Sequence, residues 1–180
     1  RRRVHVLEDQ RRDAGGRPGP RVVAHGGQAL SVRDDLGTVV HLPSPAKRII
    51  ALSPHATELV MAAGAGDRLV GISATGTGSE QLEQLPRIGG HGGIDREALL
   101  ALAPDLVIGW QSGNRTGDLD WIAANGIALY RSEPASLQDI ARTLRDIGTL
   151  SDTAVEAETA ARASPATQDR MLVAIVTRVD

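Results

Sequence analysis

The chain of 180 residues carries 20 basic and 22 acidic side chains, and its formal net charge of −2 gives no indication of a polyanionic partner such as nucleic acid. Cysteine is absent, which excludes disulfides, thiolate metal sites and cysteine nucleophiles. No run reaches the roughly 18 apolar residues of a membrane span, and the length suits one core or one complete lobe and part of another.

The first part of the chain has no sustained hydrophobic period. Residues 1–27 are rich in Arg, Gly and Pro, and we predict that they form a disordered leader. This leader is positively charged but contains no apolar stretch of the kind found in an intact signal peptide. Two short apolar segments then flank Asp34 and Gly37, and they predict a β-hairpin with glycine in the turn.

From residue 48 onward, short apolar runs alternate with helical stretches. The runs are RIIALS (48–53), RLVGIS (68–73), PRIGG (86–90), DLVIGW (105–110) and GIALYRS (126–132). Continuous rather than alternating hydrophobicity is typical of strands that are buried on both faces. We therefore predict an α/β fold with a mostly parallel sheet sandwiched by helices.

The intervening helices carry start and stop signals. Ser53 and Pro54 predict an N-cap followed by a first-turn proline, and Gly64 predicts the stop of that helix. Polar residues are predicted to open the four later helices: Asp95, Thr116, Ser136 and Ser151. Gly148 is the predicted stop of the helix that follows Ser136, and a last apolar run, 171–176, predicts a strand.

In an open parallel sheet, ligands bind beyond the carboxyl ends of the strands. Here that edge gathers the loops 53–55, 74–79, 89–93, 110–115 and 133–134. Their glycines permit close backbone approach and Trp110 offers a flat apolar face, a combination suited to a bulky ligand. We predict a binding site at this edge, the alternative being that Trp110 only packs on a neighbouring helix.

Signals for catalysis are weaker than those for binding. The sequence contains no P-loop, no GxGxxG after a strand, and no HExxH or GxSxG pattern. Ser53 and His55 are only two residues apart and have no evident acid partner, which disfavours a nucleophile pair. We predict a binding protein with no catalytic residues and no resident cofactor or metal. An enzyme using Ser53, His55 and Glu58, or a metal or haem site using His55 and His91, are the alternatives.

Three stretches resemble a known family. AKRIIALSPHATELVMAAGAGDRLVGIS (46–73), REALLALAPDLVIGWQSGN (96–114) and GIALYRSEPASLQDIARTLRDIG (126–148) are similar to the N-terminal lobe of the periplasmic binding proteins of cobalamin and iron-siderophore ABC importers. The resemblance covers about 30 to 160, and SPHATEL and PDLVIGWQSGN are closest to the cobalamin-binding branch. It implies two α/β lobes joined by a long, stiff helix, with the ligand held between them.

The resemblance also implies roles for single residues. Trp110 matches a Trp that contacts the corrinoid, and Gly92 falls in a ligand-facing loop. Glu58 matches a glutamate on the lobe surface that pairs with arginines of the membrane permease. Thr75 and His91 depart from the pattern, because cobalamin binders commonly place an aromatic residue and a Trp there, and their loss either weakens corrinoid binding or indicates another ligand. The predicted ligand-binding residues are Ser53, Pro54, His55, Thr75, His91, Gly92, Trp110 and Asn114.

The family pattern divides the chain after the leader into three further parts. We predict an N-terminal α/β ligand-binding lobe over 28–150, a truncated connecting helix over 151–165, and the first strand of a missing C-terminal lobe over 166–180. The expected function is that of a monomeric, periplasmic or extracytoplasmic solute-binding component, which binds a corrinoid, cobalamin, and delivers it to the permease of an ABC importer. Haem or iron-siderophore binding is the alternative ligand assignment, and a product without a working cleft is a third possibility.

Overall fold

A computed structural model of the chain describes residues 29–74, 80–90 and 93–163. Three of the predicted ligand-binding residues, Thr75, His91 and Gly92, lie outside these ranges. So do the predicted leader and the predicted strand over 171–176. In the described ranges, no helix is long and apolar enough to cross a bilayer.

The described ranges form an α/β structure, as the sequence predicts. The strands are β1 (Leu30–Arg33), β2 (Val39–Leu42), β3 (Ile49–Ala51), β4 (Leu69–Ser73), β5 (Arg87–Gly90), β6 (Gly93–Ile94), β7 (Leu106–Trp110) and β8 (Ala128–Ser132). The α-helices are α1 (Pro54–Ala62), α2 (Glu80–Glu83), α3 (Arg96–Ala101), α4 (Thr116–Ala124), α5 (Leu137–Ser151) and α6 (Ala154–Ala161), and a 3₁₀ turn spans Gly66–Arg68.

The main sheet has six strands in the order β6-β5-β4-β3-β7-β8. All neighbours in it pair in parallel except β6, which returns antiparallel to β5. The strands β1 and β2 form the separate antiparallel hairpin predicted from the sequence, and Gly37 adopts a φ of 81° in its turn. Strand β3 lies between β4 and β7 and runs parallel to both. The loops that follow these three strands therefore meet at one edge of the sheet.

Two hydrophobic clusters cover the two faces of this sheet. On one face, α1, α5 and α6 pack around buried residues such as Leu59, Ile108 and Leu144. On the other face, α3 and α4 pack around Leu99 and Ile122. Burial on both faces explains why the central strands are continuously apolar in sequence.

Most helix starts follow the predicted caps. The Ser53 hydroxyl accepts a hydrogen bond from the Ala56 amide at 3.2 Å, and Pro54 is the first helical residue. Asp95 and Ser136 cap α3 and α5 in the same way. Helix α4 begins at Thr116 as a helical residue, with Arg115 in the cap position and no side-chain cap bond.

The prediction for the last two helices was wrong in its boundaries. Gly148, the predicted stop, lies inside α5, and Ser151, the predicted start of the next helix, is the last residue of α5. A Cβ on Gly148 would stand 2.3 Å from the Ala157 Cβ, so glycine is required there by the close approach of α6. The chain instead reverses at Asp152, whose φ is 55°.

Candidate functional site

A cavity of about 210 Å³ opens at the carboxyl edge of the sheet. It lies where β3, β4 and β7 end side by side, next to the start of α4. Four of the predicted ligand-binding residues line it: Ser53, Pro54, Trp110 and Asn114. The other lining residues are Leu52, Ser73, Gly89, Gly93, Ile94, Gly113, Arg115 and Asp118. The structure therefore brings the predicted edge together around a real concavity.

Trp110 is the last residue of β7 and is only partly buried. A Cβ on Gly113 would lie 1.8 Å from Cε3 of the indole and 2.3 Å from each of its two ring neighbours, so Gly113 packs on the ring and leaves no room for a side chain. The His55 ring meets the indole edge-on, with 5.1 Å between ring centroids and an interplanar angle of 89°. These contacts fix the orientation of Trp110 at the cavity wall.

His55 supports Trp110 and does not itself line the cavity. Its ring is 3% exposed, and Nδ1 lies 3.1 Å from the Ser53 hydroxyl. Burial lowers the pKa of His55 to about 4, against a smaller opposing effect of the Asp35 charge, so the ring is neutral at pH 7. Within the described residues its Nε2 has no hydrogen-bond partner, so no acid orients this ring as a general base.

Asn114 connects the ends of two neighbouring strands. Its Oδ1 accepts a hydrogen bond from the Trp110 amide at 2.7 Å, and its Nδ2 donates to the Leu52 carbonyl at 2.9 Å. The Asn114 amide is also used, since it donates to the Trp110 carbonyl at 2.8 Å. Asn114 therefore holds the cavity wall in shape, and its ligand contact remains a prediction.

Sequence reasoning missed two polar residues of the cavity, Ser73 and Asp118. Ser73, at the end of β4, is 4% exposed, and its hydroxyl has no hydrogen-bond partner among the described residues. Asp118, in the first turn of α4, accepts from the Ile94 amide at 3.1 Å and from the Arg96 guanidinium at 3.0 Å. Neither stood out in the sequence, because each lies in an otherwise ordinary strand end or helix turn.

The structure gives less information about the other predicted site residues, Glu58 and His91. Glu58 lies in the middle of α1 and is half-buried, and its docking role remains a prediction. In the described ranges, no cluster of three or more His, Asp or Glu side chains is placed to hold a metal ion. His91, the second histidine of the alternative metal or haem hypothesis, is outside those ranges.

Comparison with known proteins agrees with this architecture. The family model described as "Periplasmic binding protein" matches residues 49–170. This range includes the whole six-stranded sheet and all the residues that line the cavity. The chain belongs to the periplasmic binding protein family. The resemblance found in the sequence is thereby confirmed at the level of the family.

Curated relatives of this periplasmic binding protein include proteins named for vitamin B12. The vitamin B12-binding protein of Vibrio parahaemolyticus is 36% identical over 118 residues, which are 66% of this chain and 43% of the relative. The vitamin B12-binding protein of Yersinia pestis is 42% identical over 108 residues, 59% of this chain and 39% of the relative. The chain thus spans about two fifths of the length of these relatives.

Solved structures with the same fold are named for two kinds of ligand. The periplasmic vitamin B12 binding protein BtuF of Vibrio cholerae matches with a TM-score of 0.64 and 35% identity, over 71% of this chain and 49% of that chain. The heme binding protein HmuT matches with a TM-score of 0.66 and 26% identity, over 86% of this chain and 51% of that chain. The fold of this periplasmic binding protein is shared by both.

Proposed function

We propose that this periplasmic binding protein binds a corrinoid, cobalamin, at the carboxyl edge of its sheet and delivers it to the permease of an ABC importer. The observation that carries the proposal is the fixed Trp110 ring at the mouth of the cavity, in a chain 36% to 42% identical to proteins named for vitamin B12. An apolar ring held in place loses little conformational entropy when a flat ligand packs on it. A periplasmic location is part of the same proposal, supported by the family.

Calorimetric titration with cyanocobalamin tests the ligand assignment. We expect saturable heat with the wild-type chain and a loss of affinity of at least about tenfold in Trp110→Ala, since a buried aromatic contact contributes on the order of 1 to 3 kcal/mol. Trp121→Ala is the matched control, because Trp121 lies in α4 under the Arg96 guanidinium and outside the cavity lining. Equal cyanocobalamin affinities of the two variants would show that Trp110 does not contact the ligand.

Haem binding is the second candidate, and it is favoured by the likeness to the heme binding protein HmuT over 86% of the chain. Titration with haemin, followed by its Soret absorption, separates the two ligands. A haemin affinity well above that for cyanocobalamin would replace the corrinoid assignment.

Delivery to a permease is the part of the proposal that concerns Glu58. A carboxylate on the lobe surface can accept two parallel hydrogen bonds from an arginine of the partner, and charge reversal turns this attraction into repulsion. In a transport assay with the importer, we expect Glu58→Lys to lower uptake while cyanocobalamin affinity stays unchanged. Glu97→Lys, at an exposed position of α3 away from the cavity, serves as the control. Unchanged uptake in Glu58→Lys would contradict the docking role.

A further inference from the structure

Strands β7 and β8 carry their pairing up to the wall of the cavity. Trp110 pairs in register with Ser132, and the Gln111 amide donates to the Ser132 carbonyl at 3.1 Å. Adjacent strands of a sheet lie about 4.8 Å apart, so the residues that follow these two strands are also neighbours. After β7 the chain turns through 111–114 beside the cavity, and after β8 the next residue is Glu133.

The Glu133 side chain connects these two segments. Its Oε2 accepts a hydrogen bond from the Ser112 amide at 2.9 Å, and its Oε1 accepts one from the Ser112 hydroxyl at 2.8 Å. An ionised carboxylate only accepts hydrogen bonds, and such charge-assisted bonds are stronger than those between neutral groups. Because both oxygens bond to one residue, the contact restrains both the position and the orientation of the turn at Ser112.

The backbone of Glu133 is held in place from another side. Its amide donates to the Asp35 carboxylate at 2.6 Å, and that carboxylate is 2% exposed. By contrast, Ser112 and Gly113 are both exposed. The Glu133 side chain therefore reaches from a rigid part of the fold to a surface turn.

The residue after Ser112 packs on the Trp110 ring. A Cβ on Gly113 would lie 1.8 Å from Cε3 of the indole, so the Gly113 backbone is in contact with the ring. Asn114, the next residue, bonds to the Trp110 backbone through its own amide and its side chain. Asn114 thus restrains the backbone of Trp110. The contact of Gly113 with the ring depends instead on how Ser112 is anchored.

We propose that Glu133 is a positioning residue of the binding site, whose carboxylate holds the 111–114 turn and thereby keeps the Trp110 indole in one orientation. Glu133 does not line the cavity, so it acts on a ligand through Trp110 and not by contact. A ring that is already held loses less conformational entropy when a ligand packs on it. The effect on the ligand rests on the proposed function, whereas the restraint on the ring does not.

The exposure of the contact distinguishes positioning from structural support. Both hydrogen bonds between Ser112 and Glu133 lie at the surface, where a polar contact adds little to the free energy of unfolding. Their loss should therefore leave the thermal midpoint nearly unchanged. It should instead release the turn, and the entropy cost of ordering the turn again lowers the affinity for a ligand that needs the ring in place.

The restraint on the ring can be measured without ligand in the Trp121→Phe background, where Trp110 is the single tryptophan. We expect Glu133→Ala to lower the fluorescence anisotropy of Trp110 and to increase its quenching by acrylamide. Glu133→Gln should give intermediate values, because its amide oxygen can still accept one of the two hydrogen bonds. Glu97→Ala, at an exposed position of α3, is the matched control and should change neither quantity.

Cyanocobalamin titration gives the second readout. Glu133→Ala should weaken binding by about fivefold, and Ser112→Ala, which keeps the backbone amide bond, by about twofold. Because the two side chains act through one contact, the double variant should bind as weakly as Glu133→Ala alone.

The possible outcomes separate the positioning role from the proposed function. Unchanged Trp110 anisotropy and quenching in Glu133→Ala would overturn the positioning role, even if the thermal midpoint falls, as would affinity losses that add in the double variant. If Trp110 gains mobility but cyanocobalamin does not bind the wild type, the positioning role stands and the corrinoid assignment fails. If cyanocobalamin binds equally to the wild type and Glu133→Ala, the reverse holds.

Discussion

One polar cluster lies beside the edge strand β8 and another lies at the ends of the central strands, and they differ in how many of their polar groups have hydrogen-bond partners. The first surrounds Asp35, whose carboxylate is 2% exposed. It accepts from the Glu133 amide at 2.6 Å and from the Arg142 guanidinium at 2.9 Å, and the Tyr130 hydroxyl oxygen lies 3.3 Å away. The second is the cavity, where the Ser73 hydroxyl has no partner in the described ranges.

The difference separates a structural cluster from the proposed ligand site. A buried network in which every member is paired makes the fold rigid, whereas a concavity lined by glycines and by a partly buried indole is suited to a ligand. Burial raises the pKa of both Tyr130 and Asp146, whose carboxylate accepts from the Tyr130 hydroxyl at 3.0 Å, so the tyrosine remains a neutral donor in this network. Changes in the first cluster should therefore affect folding, and changes in the second should affect binding.

Removal of Asp35 should have the largest effect on stability. Asp35→Ala removes the acceptor of the Glu133 amide and one of the two carboxylates that pair with Arg142, which keeps Asp139 at 2.9 Å. We expect a loss of about 3 kcal/mol or more in the free energy of unfolding, measured by urea denaturation. Asp120→Ala is the control, since Asp120 is 65% exposed in its ion pair with Arg131 and should contribute less than about 1 kcal/mol. Equal losses in the two variants would contradict the structural role of the Asp35 cluster.

The pH dependence of stability should report His55. Its pKa is lowered from 6.5 to about 4 in the folded chain, so between these values the unfolded chain binds a proton that the folded chain does not. Stability is therefore lost as the pH falls from about 6.5 to about 4, by at most about 3 kcal/mol. His55→Asn should flatten this part of the profile, whereas His41→Asn, at an exposed position of β2, should not. If the slope of stability against pH persists in His55→Asn, groups other than His55 cause it.

Substitution of Gly113 should separate binding from folding most clearly. A methyl group there would collide with the Trp110 ring, and the exposed loop can move more easily than the core. Gly113→Ala is thus expected to tilt the indole and to weaken cyanocobalamin binding by about tenfold, with little change in thermal stability. Gly117→Ala is the control, because nothing lies within 4 Å of a Cβ at that position. Affinity that is unchanged in Gly113→Ala would show that the orientation of Trp110 is unimportant.

The sheet and most helix starts could be predicted because their signals are local. The apolar runs that became β3, β4, β5, β7 and β8 follow from burial on both faces, and the caps at Ser53, Asp95 and Ser136 follow from hydrogen bonds to nearby amides. The position of Trp110 at the edge was predicted for the same reason, since it ends a strand.

The missed features depend on contacts between distant parts of the chain. Gly148 looked like a helix stop, but glycine is needed there because Ala157 on α6 packs so closely that a side chain would collide with it. Asp118 looked like an ordinary first-turn acid, but it lies in the cavity because α4 packs beside β6. His55 looked like a ligand contact, and only the fold shows it buried against the edge of Trp110. No local pattern carries this information.

The most direct test of the central claim uses Trp110 as the only tryptophan. The chain contains two, so Trp121→Phe leaves Trp110 as the single indole, and Trp110→Phe leaves Trp121. Titration with cyanocobalamin should quench the Trp110 fluorescence saturably, with the dissociation constant found by calorimetry, and should quench Trp121 much less after correction for absorption. Equal quenching of the two indoles, or saturation by haemin but not by cyanocobalamin, would contradict a corrinoid held against Trp110.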